Sequence, residues 1–242
     1  MIEETIRKLQ HLKMFAMIDQ IRQLTASSKF TNMSNDDLLA FIVDAEYDRR
    51  NQNRIERLLR QASLKIPTAC IADLQFGTRR NLHKAHMEQI INGDFLKAHK
   101  NVLISGATGC GKTYLSCALG HMACMNGYTV KYYRVSKFLE MMTAEQAVGN
   151  YLKSIEKMGK VQLLILDDLG PDVMTRAQRN HFLEVIEERN LVTSTIIASQ
   201  LPQEQWYAVF GESTSADAIC DRLFHNSHKI NLEGESMRKK ST

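Results

Sequence analysis

The segment Gly106–Thr113, with the sequence GATGCGKT, constrains this chain of 242 residues more than any other part of it. It fits the pattern GxxxxGK[ST], in which backbone N–H groups surround a phosphate. The apolar run 101–105 before it predicts a buried strand, and 114–125 has helical spacing and ends at the helix-stop signal Asn126-Gly127. A strand, a glycine-rich turn and a helix start place N–H groups and a helix dipole around one anion. The sequence therefore predicts a nucleoside triphosphate site.

The side chains of this loop add to its backbone. Lys112 supplies a positive charge for the β- and γ-phosphates, and the Thr113 hydroxyl is a suitable ligand for Mg²⁺. We expect nucleotide contacts from the whole loop and from the residue after it. These residues are Gly106, Ala107, Thr108, Gly109, Cys110, Gly111, Lys112, Thr113 and Tyr114.

A second part of the site follows another buried strand. Residues 161–166 include a continuous apolar run, typical of a strand covered on both faces, and Asp167 and Asp168 come directly after it. We predict that Asp167 holds Mg²⁺ and that Asp168 orients or deprotonates the attacking water. Paired aspartates after a strand also commonly start a turn, here 168–171. The phosphate loop earlier in the chain favours the catalytic interpretation.

The order of the predicted elements indicates an α/β fold. After the loop and its helix, 129–135 predicts a strand, Ser136 the cap of a helix, 176–189 a further helix, and 194–198 another buried strand. Strands and helices that alternate in this way form a parallel sheet flanked by helices.

The first part of the chain has a different pattern. Residues 14–24 carry apolar 3–4 spacing, and Ser34-Asn-Asp-Asp37 resembles a capping box that starts a long helix. Pro67 then breaks the helical pattern. We predict a small all-α domain at 1–66, which binds DNA or a partner, and a nucleotide-binding domain at 67–242.

Composition argues against a membrane or secreted protein. The longest apolar run, 38–43, is too short to span a bilayer, and the acidic N-terminus is not a secretory signal. We therefore expect a cytoplasmic protein without a membrane partner. Cys117, His121 and Cys124 share a helix face and could hold a metal with a fourth ligand, but the burial habits of cysteine favour a core-facing stripe.

The net charge of +4 is modest, and its distribution is more informative. Between Arg49 and Lys65 there are six basic residues and one acidic residue. A helix would place Arg50, Arg54 and Arg57 on one face, where they could neutralise DNA phosphates. A solvated helix face explains the same pattern, and both interpretations stay open.

Taken together, five motifs resemble the motif series of AAA+ ATPases. They are the phosphate loop, the LLILDD strand, TIIASQ at 195–200, Asp221-Arg222-Leu223 and GESMR at 234–238. The series is most similar to that of the IstB-like helper ATPases of bacterial transposons, with the DnaC helicase loaders and DnaA initiators as relatives. The resemblance covers roughly Asp73 to Lys240 and, more loosely, the N-terminal helices. It implies an AAA+ core with ATP and Mg²⁺ as cofactors.

The resemblance also implies roles for residues outside the phosphate loop. Ser199 or Gln200 matches the first sensor, which contacts the γ-phosphate or the water, and Arg238 matches a second sensor that contacts the nucleotide. Only four residues follow Arg238, so we expect no C-terminal helical lid. Lys131, Arg134 and Lys137 match a region that faces DNA in related initiators, although such charges are as commonly solvated.

Arg222 matches the arginine finger, which reaches the γ-phosphate of a neighbouring subunit. A guanidinium suits that role because it offers planar, permanently charged donors. Arg222 could instead form an ion pair with Asp221 or Asp217, and Arg189 is a rival finger at the end of its helix.

The function implied by the resemblance is ATP-dependent assembly for DNA transposition. The expected partners are duplex DNA, the cognate transposase and further copies of this chain. Because Asp168 is one methylene shorter than the glutamate found in many AAA+ proteins, we expect slow hydrolysis that DNA stimulates. The alternatives are a DnaC-like replicative helicase loader and a small P-loop kinase that acts on a metabolite as a monomer.

Overall fold

A computed structural model describes residues 2–26, 33–211 and 213–237, with the backbone alone at Thr78, Ala85 and His86. The chain divides into two compact units, Met1–Arg57 and Leu58–Thr242. Among the described residues, no helix has the length and apolar character needed to cross a membrane.

The first unit is helical, as predicted. It contains α1 (Ile2–His11), α2 (Phe15–Ala26) and most of α3 (Asn35–Ala62). The predicted cap of α3 is confirmed, since the Ser34 hydroxyl accepts a hydrogen bond from the Asp37 N–H at 3.1 Å. Glu46 on α3 is buried and accepts a hydrogen bond from the Ala16 N–H at 2.9 Å, which ties α2 to α3. A separate DNA- or partner-binding domain at 1–66 stays a prediction.

The second unit alternates strands and helices. Its helices after α3 are α4 (Lys84–Ile91), α5 (Asp94–Lys97), α6 (Lys112–Met125), α7 (Val135–Ala147), α8 (Tyr151–Lys160), α9 (Arg176–Arg189), α10 (Trp206–Phe210) and α11 (Thr214–Phe224). Its strands are β1 (Asn101–Gly106), β2 (Val130–Arg134), β3 (Leu163–Leu169), β4 (Ser194–Ser199) and β5 (Ser227–Leu232). Short 3₁₀ turns lie at Ile71–Asp73, Thr78–Arg80 and Gln203–Gln205.

The described strands form one sheet in the order β2-β3-β4-β1-β5, and all four pairings are parallel. The predicted α/β class with a parallel sheet is therefore confirmed. Asp167 and Asp168 lie at the carboxyl end of β3, as expected, and β3 continues for one more residue to Leu169. The predicted cap at Ser136 was wrong, because α7 begins at Val135.

Apolar clusters cover both faces of the sheet. Val102 and Ile104 of β1 belong to the cluster with α6, whereas Leu103 belongs to the cluster with α7, α9 and α11. Successive side chains of a strand point to opposite faces, so a strand covered on both sides is a continuous apolar run. Cys117 and Cys124 are fully buried on α6, and burial raises the pKa of both thiols, that of Cys124 to about 12.

Arg189, at the end of α9, is buried beneath the amino-terminal edge of the sheet with 2% of its surface exposed. Its guanidinium donates to the carbonyl oxygens of Met158 and Val161 at 2.6 and 2.7 Å, and also to that of Ser194. Nε donates to the Thr195 hydroxyl at 3.0 Å. A buried guanidinium is tolerated only when such hydrogen bonds satisfy it, so Arg189 fastens α8 and α9 to the start of β4.

We expect Arg189→Met to lower the free energy of unfolding by about 3 kcal/mol or more, because several buried acceptors lose their donor. Urea denaturation followed by circular dichroism measures this change. Arg176→Met is the matched control, since Arg176 is exposed on the same helix. Equal stability of the two variants would contradict the role given to Arg189.

Candidate nucleotide-binding and hydrolysis site

The site lies where the parallel strands end. Ser105 of β1 pairs with Ser199 of β4, and Leu169 of β3 also pairs with Ser199. The carboxyl ends of β1, β3 and β4 therefore meet at one edge of the sheet, the usual position of ligands in an open α/β fold. The phosphate loop leaves β1 at this edge and enters α6 at Lys112.

Three glycines give the loop its shape. Gly106, Gly109 and Gly111 have φ values of 145°, 89° and 98°, which side chains disfavour. A Cβ atom at Gly106 would overlap the Leu232 carbonyl oxygen, and one at Gly109 would overlap the Ser236 side chain. The bare backbone is therefore required here, which fits a loop whose N–H groups approach the phosphates of ATP.

The side chain of Lys112 folds back onto the start of the phosphate loop. Its Nζ atom donates to the carbonyl oxygens of Gly106 and Ala107 at 2.6 and 2.8 Å. These contacts keep the ammonium group at the loop, where its charge can pair with phosphate oxygens. The cavity beside the loop is bounded by Lys112, Thr113, Asp167, Asp168 and Gln200, among others.

Thr113 and Asp167 meet as the sequence predicted for a metal pair. The Thr113 hydroxyl donates to Asp167 Oδ2 at 2.8 Å, and only 2% of the Asp167 surface is exposed. A hydroxyl and a carboxylate are the hard oxygen ligands that Mg²⁺ prefers, so this pair fits the ion. When bound there, Mg²⁺ would supply positive charge to offset the negative charge of the phosphates.

Tyr132 on β2 donates to the same carboxylate oxygen of Asp167 as Thr113 does. Its hydroxyl donates to Asp167 Oδ2 at 2.6 Å, and burial, followed by this hydrogen bond, raises the pKa of the phenol. The phenol therefore stays protonated and orients the carboxylate, as the outer partners of metal ligands do. Sequence reasoning did not predict this hydrogen bond. The signal was the position of Tyr132 on the strand beside Asp167.

Asp168 faces the cavity from a strained position. Its φ is 67°, in the left-handed region, and its side chain is half exposed. Oδ2 accepts a hydrogen bond from Arg134 Nη2 at 2.6 Å, and this bond raises the pKa of the guanidinium. Of the three basic residues matched to a DNA-facing region, Arg134 thus pairs with the carboxylate expected to act on water.

The two candidates for the first sensor differ in position. Ser199 is fully buried, and its hydroxyl donates to the Leu169 carbonyl oxygen at 2.6 Å. Gln200 borders the cavity, and its Oε1 accepts a hydrogen bond from the Thr108 hydroxyl at 3.0 Å. Of the two, Gln200 is the one that borders the cavity, so the geometry favours it as the candidate for the first sensor.

A second cavity, of about 260 Å³, adjoins the loop. Its apolar walls suit a nucleobase. It is lined by Asp73, Leu74, Arg80, Leu82, Gly111, Tyr114, Leu115, Leu232 and Met237. The Tyr114 hydroxyl donates to Asp73 Oδ2 at 3.3 Å and accepts from the Cys70 N–H at 3.3 Å. Sequence reasoning predicted Tyr114 here but missed segment 73–82, which carries no recognisable spacing.

The structure separates the two candidate arginine fingers. Arg189 was proposed for a surface between subunits, and this prediction was wrong because Arg189 is buried and bonded within the subunit. Arg222 is partly exposed, and its Nη2 pairs with Glu187 Oε1 at 2.8 Å rather than with Asp221 or Asp217. Arg238 lies outside the described residues.

The other basic candidates have varied surroundings. Arg50 pairs with Glu46 at 2.8 Å on α3, while Arg54 and Arg57 are exposed on the same helix. Lys137 pairs with Glu140 at 2.7 Å. Burial, followed by repulsion from Lys157, lowers the pKa of Lys131.

A phosphate loop between β1 and α6, beside an acidic strand in a sheet of order β2-β3-β4-β1-β5, defines a P-loop nucleotide-binding protein of the AAA+ type. The sequence matches the family described as IstB-like ATP binding protein over residues 7–242. The chain belongs to this family and is an ATP-binding protein.

Similar proteins are named for insertion sequences. A Sinorhizobium fredii protein named as an insertion sequence ATP-binding protein is 36% identical over 235 residues, which cover 97% of this chain and 96% of that protein. The protein named as an ATP-binding protein of insertion sequence IS1162 in Pseudomonas fluorescens is 35% identical over 202 residues, 84% of this chain and 87% of the relative.

Solved structures share the fold at low identity. DnaA bound to AMPPCP and single-stranded DNA superposes with a TM-score of 0.59 at 22% identity, over 72% of this chain and 52% of DnaA. The DnaC helicase loader gives a TM-score of 0.55 at 16% identity, over 68% of this chain and 97% of the loader.

We expect Tyr132→Phe to raise the Mg²⁺ concentration needed for half-maximal ATP hydrolysis by about tenfold, because Asp167 loses the donor that orients it. Titration of Mg²⁺ at saturating ATP measures this concentration. Tyr133→Phe, which removes the neighbouring hydroxyl, is the control. An unchanged Mg²⁺ requirement in Tyr132→Phe would contradict the role given to the phenol.

Proposed function

We propose that this chain is a DNA-binding AAA+ ATPase that regulates transposition. In this proposal it assembles with further copies on duplex DNA, hydrolyses ATP slowly with Mg²⁺, selects the target and recruits or stimulates the transposase. The observation that carries the proposal is the Thr113–Asp167 pair with Asp168 beside it. It occurs in a chain that relatives named for insertion sequences match over almost its whole length.

The residues around the cavity support hydrolysis. Lys112 places a charge at the phosphate loop, and Asp168 and Gln200 border the same cavity. A carboxylate and an amide can together hold a water molecule and accept its proton as it attacks the γ-phosphate. Arg134 is hydrogen-bonded to the Asp168 carboxylate, so the carboxylate is not free to accept a proton from water. This supports a slow rate of ATP hydrolysis without DNA.

The surroundings of Arg222 support assembly. The guanidinium is held by Glu187, which is half exposed, so the pair lies at the surface of the subunit. Exposed ion pairs contribute little free energy, and a neighbouring subunit's nucleotide can therefore replace Glu187 at small cost. Because an arginine forms bidentate bonds with phosphate, the exchange favours contact across a subunit interface.

Lys112→Ala and Arg222→Ala should each reduce DNA-stimulated ATP hydrolysis by about a hundredfold or more. A 1:1 mixture of the two variants should recover part of the wild-type rate, because some of its interfaces join an intact phosphate loop to an intact arginine. A phosphate-release assay with duplex DNA measures the rates of the two variants and of their mixture.

Glu187→Gln is the matched control for Arg222→Ala, since it breaks the same ion pair but keeps the arginine. It should assemble normally with ATP on duplex DNA, as judged by gel shift and electron microscopy. Normal assembly by both Lys112→Ala and Arg222→Ala would contradict the proposal. Preference for single-stranded DNA together with a stable complex with a hexameric helicase would favour the helicase-loader alternative.

Arg134→Ala should raise ATP hydrolysis without DNA by about two- to fivefold, because it frees Asp168 from an exposed ion pair of small free energy. Lys137→Ala, which removes a neighbouring charge paired with Glu140, is the control. Rates are compared with and without duplex DNA. A loss of DNA affinity with an unchanged DNA-free rate would assign Arg134 to DNA contact instead.

A further inference from the structure

The phosphate loop is held from outside by two hydrogen bonds to its backbone. Arg80 Nη2 donates to the Cys110 carbonyl oxygen at 2.6 Å, and the Met237 N–H donates to the Gly109 carbonyl oxygen at 2.9 Å. In a peptide unit the carbonyl points opposite to the N–H of the next residue. Holding the Cys110 carbonyl outward therefore points the Gly111 N–H inward, toward the phosphates. The Cys110 N–H instead donates to the Ala107 carbonyl oxygen at 3.3 Å, within the loop.

The backbone of Arg80 is also held by hydrogen bonds. Its N–H donates to the Gly77 carbonyl oxygen at 3.1 Å, and its carbonyl accepts from the Glu233 N–H at 3.1 Å. The adjacent Asn81 side chain donates to the Asn231 carbonyl oxygen at 3.2 Å. One arginine thus joins the 77–82 loop, the end of β5 and the phosphate loop.

Within the described residues, the partner of the Arg80 guanidinium is the Cys110 carbonyl oxygen and not a carboxylate. A Cβ atom on Gly111 would lie 2.7 Å from Arg80 Nη2, so the guanidinium sits at the first turn of α6. The amino-terminal end of a helix carries partial positive charge, and Lys112 adds a full charge there. A second cation at this end is repelled by the helix dipole and by Lys112, and bound phosphate would offset that repulsion.

We infer that Arg80 is a positioning residue for the phosphate loop, which holds the loop in its phosphate-binding shape through the Cys110 carbonyl. It acts together with the Met237 N–H on Gly109. This inference rests on nucleotide binding at the loop and is independent of DNA binding, assembly and hydrolysis. Its failure is therefore distinguishable from failure of the proposed function.

The test compares ADP with adenosine, which fills the base cavity but has no phosphate. Affinities come from competition with a fluorescent ADP derivative on the full chain. Arg80→Ala and Arg80→Met should each lower ADP affinity by about tenfold or more, the effect of losing a charge-assisted hydrogen bond. Because Arg80 also lines the base cavity, adenosine affinity should fall too, but by a clearly smaller factor. Arg80→Lys, which keeps one donor and the charge, should restore part of the ADP affinity.

Arg79→Ala is the matched control for the loss of charge on the same loop. Arg80→Met keeps the apolar stem, so it tests the donor even if Arg80→Ala does not fold, and its thermal unfolding without nucleotide should match the wild type. Met237→Pro removes the other donor and should lower the ratio of ADP to adenosine affinity, whereas Met237→Ala keeps that ratio.

Three results would overturn the inference. One is wild-type ADP affinity in Arg80→Met. Another is an equal loss for adenosine and ADP, which would place Arg80 against the base rather than behind the loop. The third is a loss of ADP affinity in Arg79→Ala as large as that in Arg80→Met, which would show a general effect of charge.

Discussion

The parallel pairing of β1, β3 and β4 is the constraint on which the site depends. Parallel strands end at the same edge of a sheet, so residues far apart in sequence meet there. The register then decides which side chains meet: Arg134 of β2 lies opposite Asp167 of β3. A slip by one residue would turn Asp167 to the other face of the sheet and leave the Thr113 hydroxyl without this carboxylate.

The two edges of the sheet are stabilised in different ways. At the amino-terminal edge, the buried Arg189 guanidinium donates hydrogen bonds to backbone and hydroxyl oxygens. These bonds connect α8, α9 and β4. At the carboxyl-terminal edge, backbone segments from before β1 and after β5 hold the phosphate loop through Arg80 and Met237. The rigid edge positions the strands, while the other edge presents polar groups to a ligand.

Local sequence patterns predicted most strands of the sheet, but they did not predict hydrogen bonds between residues far apart in sequence. Continuous apolar runs predicted β1, β3 and β4 because both of their faces are covered. The edge strand β5, with the mixed sequence SHKINL, gave no such signal because only Ile230 and Leu232 are buried in it. The partners of Tyr132 and Arg80 lie about thirty positions away, and nothing in a single sequence joins a phenol or a guanidinium to an acceptor at that distance.

Exposure distinguishes the arginines of this chain more clearly than their place in a motif. Arg189 is buried, and leaving its acceptors would cost the subunit their hydrogen bonds, so it cannot reach another molecule. Arg134 pairs with the exposed carboxylate of Asp168. Arg222 pairs with that of Glu187 and also donates to the Ala218 carbonyl oxygen at 2.9 Å. Ion pairs with exposed carboxylates have small free energies. Such a pair keeps the guanidinium near the site, and the guanidinium can still leave its carboxylate for a more strongly charged anion. Because a phosphate carries more charge than a carboxylate, a phosphate group is the kind of partner for which these two arginines could leave their carboxylates.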